Sequence, residues 1–201
     1  MSDRFGVIAM DPPWKYGGTR QFQRRPGGNR LLPHQHHRYA SLPTAAIAAL
    51  PVARLAADPC VLLMWSTWPL LEDALACIRA YGFSYVTGFP WIKVTGPPKR
   101  RISKLWRWVP QYGIGFWVRS CSEPLLIARR GDITIRSPQI GLLSENFSHS
   151  RKPDNLYEYA EQFPGPYLEL FARRAQPGWR SWGDQAPAET RIDLGDAEEG
   201  P

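Results

Sequence analysis

Residues 60–65 constrain the fold more than any other stretch. Six consecutive apolar residues sit between Pro59 and Ser66. A strand sends alternate side chains to opposite faces, so a strand apolar at every position must be covered on both. Phe5–Met10 and residues 124–128 and 167–172 read as further short strands, and residues 84–94 as a longer one. Helical segments fall between them: 42–57, interrupted or kinked at Pro51, 70–81, stopped by Gly82, and 153–162, with a proline in its first turn. Strands alternating with helices imply an α/β sandwich around a mainly parallel sheet. Ligands of such sheets bind beyond the carboxyl ends of the strands, where Asp11, Ser66, Lys93 and Arg129 are expected.

The chain has 201 residues, 43% of them hydrophobic, which suits one domain with a real core and argues against global disorder. No apolar run approaches the roughly 18 residues of a membrane span, and the N-terminus lacks the pattern of a secretory leader. Three cysteines without a Cys-x-x-Cys pair read as buried thiols in a reducing compartment, which predicts a cytoplasmic protein. His34, His36 and His37 have no cysteine or carboxylate near them to complete a metal site, so no metal is expected.

The net charge is +7, and its distribution is lopsided. No acidic residue occurs from Ala74 to Ser122, and between Pro12 and Leu71 the only one is Asp58. Such a field favours a polyanion, hence nucleic acid, as partner. Two segments carry it. Residues 15–38 form a glycine- and arginine-rich loop holding Lys15, Arg24 and Arg25. Residues 96–112 form a second, where five cations, Lys99, Arg100, Arg101, Lys104 and Arg107, are interleaved with Trp106 and Trp108. Cations suit phosphates and tryptophans suit unstacked bases, so these residues, with Lys93, are the predicted nucleic-acid contacts. Residues 179–183 close the ordered domain at about residue 185, and 186–201 read as a flexible acidic tail.

Asp11-Pro12-Pro13-Trp14 ends the first strand, because two prolines cannot continue a ladder. An exocyclic aromatic amine is a poor nucleophile while its lone pair is delocalised into the ring. A carboxylate (Asp11) and a rigid backbone carbonyl (Pro12, held by Pro13) can accept its two N–H bonds and free that lone pair. Trp14 offers a face for a flipped base, worth about 1–3 kcal/mol.

The tetrad resembles that of the MT-A70 family of S-adenosylmethionine-dependent adenine N6-methyltransferases. Further blocks are similar to the family's in its order: Leu62-Leu63-Met64-Trp65-Ser66-Thr67, Trp91-Ile92-Lys93-Val94, Glu123-Pro124-Leu125-Leu126, Ser150-Arg151-Lys152-Pro153-Asp154, Leu168-Glu169-Leu170-Phe171-Ala172-Arg173 and Trp182-Gly183-Asp184-Gln185. The resemblance covers about residues 5–185 and implies a Rossmann-like methyltransferase sheet in permuted order, the catalytic strand first and the cofactor strand last. It implies S-adenosylmethionine as cofactor, with Asp11, Lys152, Glu169, Arg173, Asp184 and Gln185 around it. Asp184 stands where the family usually has Asn, and Ala175-Gln176 where it often has His-Asn. DNA is expected ahead of RNA as substrate. A catalytically silent nucleic-acid-binding subunit and an N4-cytosine methyltransferase are the alternatives, and oligomeric state is not derivable.

Overall fold

β1 (Phe5–Met10) lies inside the sheet, with strands bonded to both its edges. The protein is described by a computed structural model covering residues 4–16, 40–95, 109–110, 112, 118–133, 142–145 and 152–194. After β1 come two short helices, α1 (Thr44–Ala48) and α2 (Val52–Leu55), then β2 (Ala56–Trp65). A 3-10 turn at Trp68–Leu70 opens α3 (Leu71–Ala80). There follow β3 (Ser84–Thr95), β4 (Val109–Pro110), β5 (Ser122–Arg130), β6 (Leu142–Glu145), α4 (Asn155–Ala160), β7 (Tyr167–Leu170) and β8 (Trp179–Trp182).

The strands form one sheet in the order β4-β3-β5-β2-β1-β7-β8, with β6 also on β3. The pairs β1–β2, β1–β7, β7–β8 and β3–β6 are parallel, whereas β5 runs antiparallel to both β2 and β3. Four strands therefore present their carboxyl ends side by side, and β5 presents its amino end to the same edge, since Leu125 pairs with Trp65. The α/β expectation holds.

Alternation along β1 and β2 assigns the two cores. Ile8, Met10, Leu62 and Met64 face α1–α3, packing with Ile47, Val52, Cys77 and Ile78. Val7, Ala9, Val61 and Leu63 face α4 and meet Leu156, Tyr159 and Phe163. Each fully buried Leu or Met contributes about 1.5–3 kcal/mol, so β1 and β2 are held from both sides, as the apolar run requires. Cys60 and Cys77 are buried in the first core, and burial pushes their thiols up to about 12 and about 11.

Several boundaries differ from those expected. The helical segment 42–57 breaks into α1 and α2 around Pro51, and its last two residues belong to β2, because Ala56 is drawn into register with Phe5. α4 occupies only the middle of 153–162. β7 stops at Leu170, because Phe171 takes a positive φ of 63° that no strand continues through. Arg129, next to last in β5, lies at the edge opposite to Asp11, where it bonds the Gly131 carbonyl and Asp132. The predicted tail is corrected over residues 186–194: Ala186 is buried, Ile192 and Leu194 pack on the first core, and Ser181 of β8 bridges to Arg191. Of the two predicted loops, 17–38, 96–108 and 111 lie outside the described residues. No described helix is long and apolar enough to cross a membrane.

β1 passes close under the chain that enters β7. The Gly6 N–H donates to the Pro166 carbonyl at 2.9 Å, and a Cβ on Gly6 would lie 2.2 Å from the Pro164 oxygen. Gly6→Ala is expected to destabilise the protein by about 1–3 kcal/mol through this overpacking. Urea unfolding measures it, and an unchanged midpoint would contradict the close approach.

Candidate active site

Asp11 follows directly on the parallel register of β1, in which Met10 is paired with Met64 on one side and Leu170 on the other. Pro12 and Pro13 end the ladder, and the chain turns at once. The Trp14 N–H donates to the Pro12 carbonyl at 2.8 Å, and the Leu42 N–H to the Pro13 carbonyl at 2.7 Å. One lone pair of the Pro12 oxygen is thus used within the turn, and a carbonyl has two. The Trp14 indole N–H donates to the Trp65 carbonyl at 3.2 Å, and its ring packs against the first core. Trp14 therefore pins the tetrad to the end of β2.

A cleft of about 510 Å³ opens at this edge. It brings together Asp11, Pro12, Pro13, Trp14, Lys93, Lys152, Arg173, Asp184 and Gln185, nine of the residues singled out from the sequence. Glu169 lines a smaller adjoining cavity of about 320 Å³, which shares Asp11, Lys152 and Arg173 with the cleft. Lys15 is exposed and does not line either space. Arg24, Arg25, Lys99, Arg100, Arg101, Lys104, Trp106 and Trp108 lie outside the described residues.

Charges alternate along the junction of the two spaces. Arg173 Nη2 meets Asp11 Oδ2 at 3.1 Å, and Lys152 Nζ meets Asp11 Oδ1 at 2.8 Å. Lys152 also reaches Glu123 Oε2 at 3.2 Å, and Lys93 pairs with Glu123 Oε1. Lys93 is thus an internal counter-ion in the cleft as well as a residue expected to touch nucleic acid. Beneath the chain, Trp65 and Trp91 meet edge to face at 5.9 Å, with Lys93 4.9 Å from the Trp91 ring centre and Lys152 5.4 Å from that of Trp65. These aromatic faces add attraction for the two ammonium groups.

The pairing sets protonation. Burial pushes the Glu123 carboxyl up, but Lys152 and then Lys93 outweigh it and hold the group below its ordinary 4.5. Burial works against the Lys152 ammonium, while Asp11 and Glu123 outweigh that and hold it above 10.5. Glu123 and Lys152 are therefore held in their charged forms at neutral pH. Glu169 differs: burial raises its carboxyl, and the Tyr157 hydroxyl donating at 2.9 Å offsets this only in part.

Composition and spacing missed several residues of this edge. Glu123 was absent from the predicted set because a strand's direction is not visible in its apolar pattern. Tyr16, 42% exposed, lines the cleft with its hydroxyl on Thr67 Oγ1 at 3.0 Å. Phe171 and Trp182 meet edge to face at 5.3 Å and wall the cleft where β7 and β8 end. Gly183, at φ 139°, passes so close to Phe171 that a Cβ would lie 2.8 Å from its Cα.

The chemistry of this edge is that of an elongated ligand with unlike ends. Asp184, Gln185 and Glu169 offer acceptors to a diol, and Lys152 with Arg173 offers cations to a carboxylate. A methionine-bearing nucleoside fits that donor set, and no phosphate is required. Among the described residues no cluster of three His, Cys, Asp or Glu could hold a metal, and all four histidines lie outside them.

Comparison with known proteins identifies the family. The MT-A70 family model matches residues 5–185. The chain is 28% identical to the Type II methyltransferase M.MunI of a Mycoplasma species, over 95% of this chain and 81% of that protein. It is 27% identical to the human N(6)-adenine-specific methyltransferase METTL4, over 94% of this chain and 39% of that protein. It is 29% identical to the N6-methyladenosine RNA methyltransferase MTA1 of Cryphonectria parasitica, over 90% of this chain and 51% of that protein. The chain thus spans most of the first relative's length but about half or less of the other two.

Because Glu123 is held below 4.5, its contribution to stability is full above that pH and fades as pH falls through the folded value. Lys152→Met removes the larger of the two opposing attractions. The Glu123 carboxyl is then expected to titrate at higher pH than in the parent, read by carbon-13 NMR of the side-chain carboxyl. An unmoved midpoint would contradict the coupling.

Proposed function

The chain belongs to the MT-A70 family, and on that premise we propose that it transfers a methyl group from S-adenosylmethionine to the N6 amine of adenine in nucleic acid. The observation that carries this reading is the position of Asp11. Its carboxylate stands where the larger cleft and the smaller cavity meet, within reach of occupants of both.

Asp184, Gln185 and Glu169 hold the ribose hydroxyls of the cofactor, and Lys152 faces its carboxylate. When bound, the cofactor supplies an electrophilic methyl on a sulfonium sulfur. Asp11 accepts one N–H of the target amine, and the free lone pair of the Pro12 carbonyl accepts the other. Lys152 and Arg173 hold one carboxylate oxygen each, at 2.8 and 3.1 Å, which fixes the plane of the acceptor while leaving each oxygen a further lone pair. Drawn toward tetrahedral geometry, the nitrogen attacks the methyl in line. Transfer would form the N–C bond as the S–C bond breaks, leaving the cofactor a neutral thioether, and the extra proton on nitrogen would pass to solvent water. Asp11 stabilises the positive charge that builds on nitrogen until then.

Trp14, tied by its indole N–H to Trp65, acts chiefly as an anchor with part of its face toward the cleft. The methyltransferase domain is proposed to run through residue 194, because 186–194 pack on its core, and the cations of 15–38 and 96–112 are proposed to contact nucleic acid. The intact tetrad supports an enzyme over a silent subunit. DNA is proposed ahead of RNA, and the product assay below decides between them.

Asp11→Ala is expected to lower methyl transfer by at least about 10²–10³-fold, the scale of losing one preorganised polar contact to the reacting group, while circular dichroism stays unchanged. Nucleoside mass spectrometry of treated DNA and RNA reads the product. N6-methyladenine in DNA supports the proposal. N4-methylcytosine, or undiminished transfer by the variant, overturns it.

A further inference from the structure

Residues 186–194 follow the segment matched by the family, and their bonds converge on the turn that faces the cleft. The Ala186 N–H donates to the Gly183 carbonyl at 3.0 Å, closing a four-residue turn with Asp184 and Gln185 at its two corners. Both corner residues are exposed and line the cleft. One side of the turn is set by Gly183 against Phe171, as described above. The other is set by Ala186, which is only 2% exposed and whose carbonyl accepts two N–H groups of Arg191, Nε at 3.1 Å and Nη2.

Arg191 is itself held in place. A second turn, Thr190 N–H to the Pro187 carbonyl at 3.2 Å, folds the chain back along β8. Ser181 then donates its N–H to the Thr190 carbonyl at 2.9 Å and accepts from the Ile192 N–H at 2.8 Å. The Ser181 and Thr190 hydroxyls are 2.6 Å apart, and Ile192 and Leu194 pack on the first core. Covering the open edge of β8 would need only the bonds of residues 190–192. Edge protection explains neither a guanidinium fork on the Ala186 oxygen nor the burial of Ala186.

We propose that residues 186–194 are a brace that holds the Asp184–Gln185 turn in its ligand-binding shape, with Arg191 as the positioning residue. The brace rests on the reading that this turn holds the cofactor ribose. Arg191 lines neither the cleft nor the smaller cavity; it acts through the Ala186 carbonyl. A turn preorganised in the free protein spares the ligand the cost of ordering it.

Calorimetry with S-adenosylhomocysteine tests this, alongside steady-state kinetics and thermal unfolding. Arg191→Ala is expected to weaken binding about five-fold, the scale of one net hydrogen bond, and to raise KM for the cofactor alike with kcat retained. Arg191→Lys, which can still reach one carbonyl, is expected to restore part of the affinity. Asp184→Ala is the reference for the underlying reading. If Asp184→Ala weakens binding and Arg191→Ala does not, the brace is wrong while the ribose site stands. If Arg191→Ala lowers kcat and the unfolding midpoint with no selective loss of affinity, Arg191 is only structural and the proposal fails. If Asp184→Ala leaves binding unchanged, the ribose reading falls and the brace with it.

Discussion

A single carboxylate held by two cations joins three segments of the chain at the cleft. Asp11 comes from the end of the first strand, Lys152 from just before α4 and Arg173 from just after β7. Asp11 is separated in sequence from the other two by well over a hundred residues. They meet because β1 lies between β2 and β7 in parallel register, so that chain ends far apart in order arrive at one edge. Without the apolar layers on both faces of β1 and β2, nothing would hold the carboxylate at that height against its own solvation. The two cations then compensate the loss of water around it.

Glu123 extends the same logic. A half-buried acid between two ammonium groups is costly unless every charge has a partner, and here Lys93 and Lys152 each supply one. Removing a member leaves an uncompensated charge next to the reacting centre. The alternation also confines motion: Lys152 cannot swing toward one neighbour without releasing another. The aromatic pair Trp65 and Trp91 closes the floor under both lysines.

Much of this was legible from the chain alone, for definite reasons. An apolar run cut off by two prolines announces both the strand and the residue exposed at its end, so β1 and Asp11 could be read directly. Direction could not. Residues 124–128 have the same apolar pattern whichever way they run, which is why Arg129 was expected at the functional edge and Glu123 was overlooked. The helical period of residues 42–57 gave way at Ala56 to pairing with Phe5, a contact across fifty residues. Trp14 was identified as an aromatic of the site, but its indole partner, the Trp65 carbonyl, lies 51 residues away. The segment after residue 185 was masked by its composition. Five acids suggested a solvated tail, while the one arginine among them and the alternation of Ile192 and Leu194 carried the structural signal.

The central claim is that Asp11 and the Pro12 carbonyl grip the amine that receives the methyl group. A structure of the protein with S-adenosylhomocysteine and an adenine-bearing oligonucleotide tests it most directly. The account predicts the exocyclic nitrogen of a flipped adenine within hydrogen-bond distance, about 2.9 Å, of both oxygens. It predicts the cofactor sulfur on the far side of that nitrogen, in line for transfer. An adenine amine lodged away from Asp11, or a cofactor bound elsewhere than at the ends of β7 and β8, would contradict it.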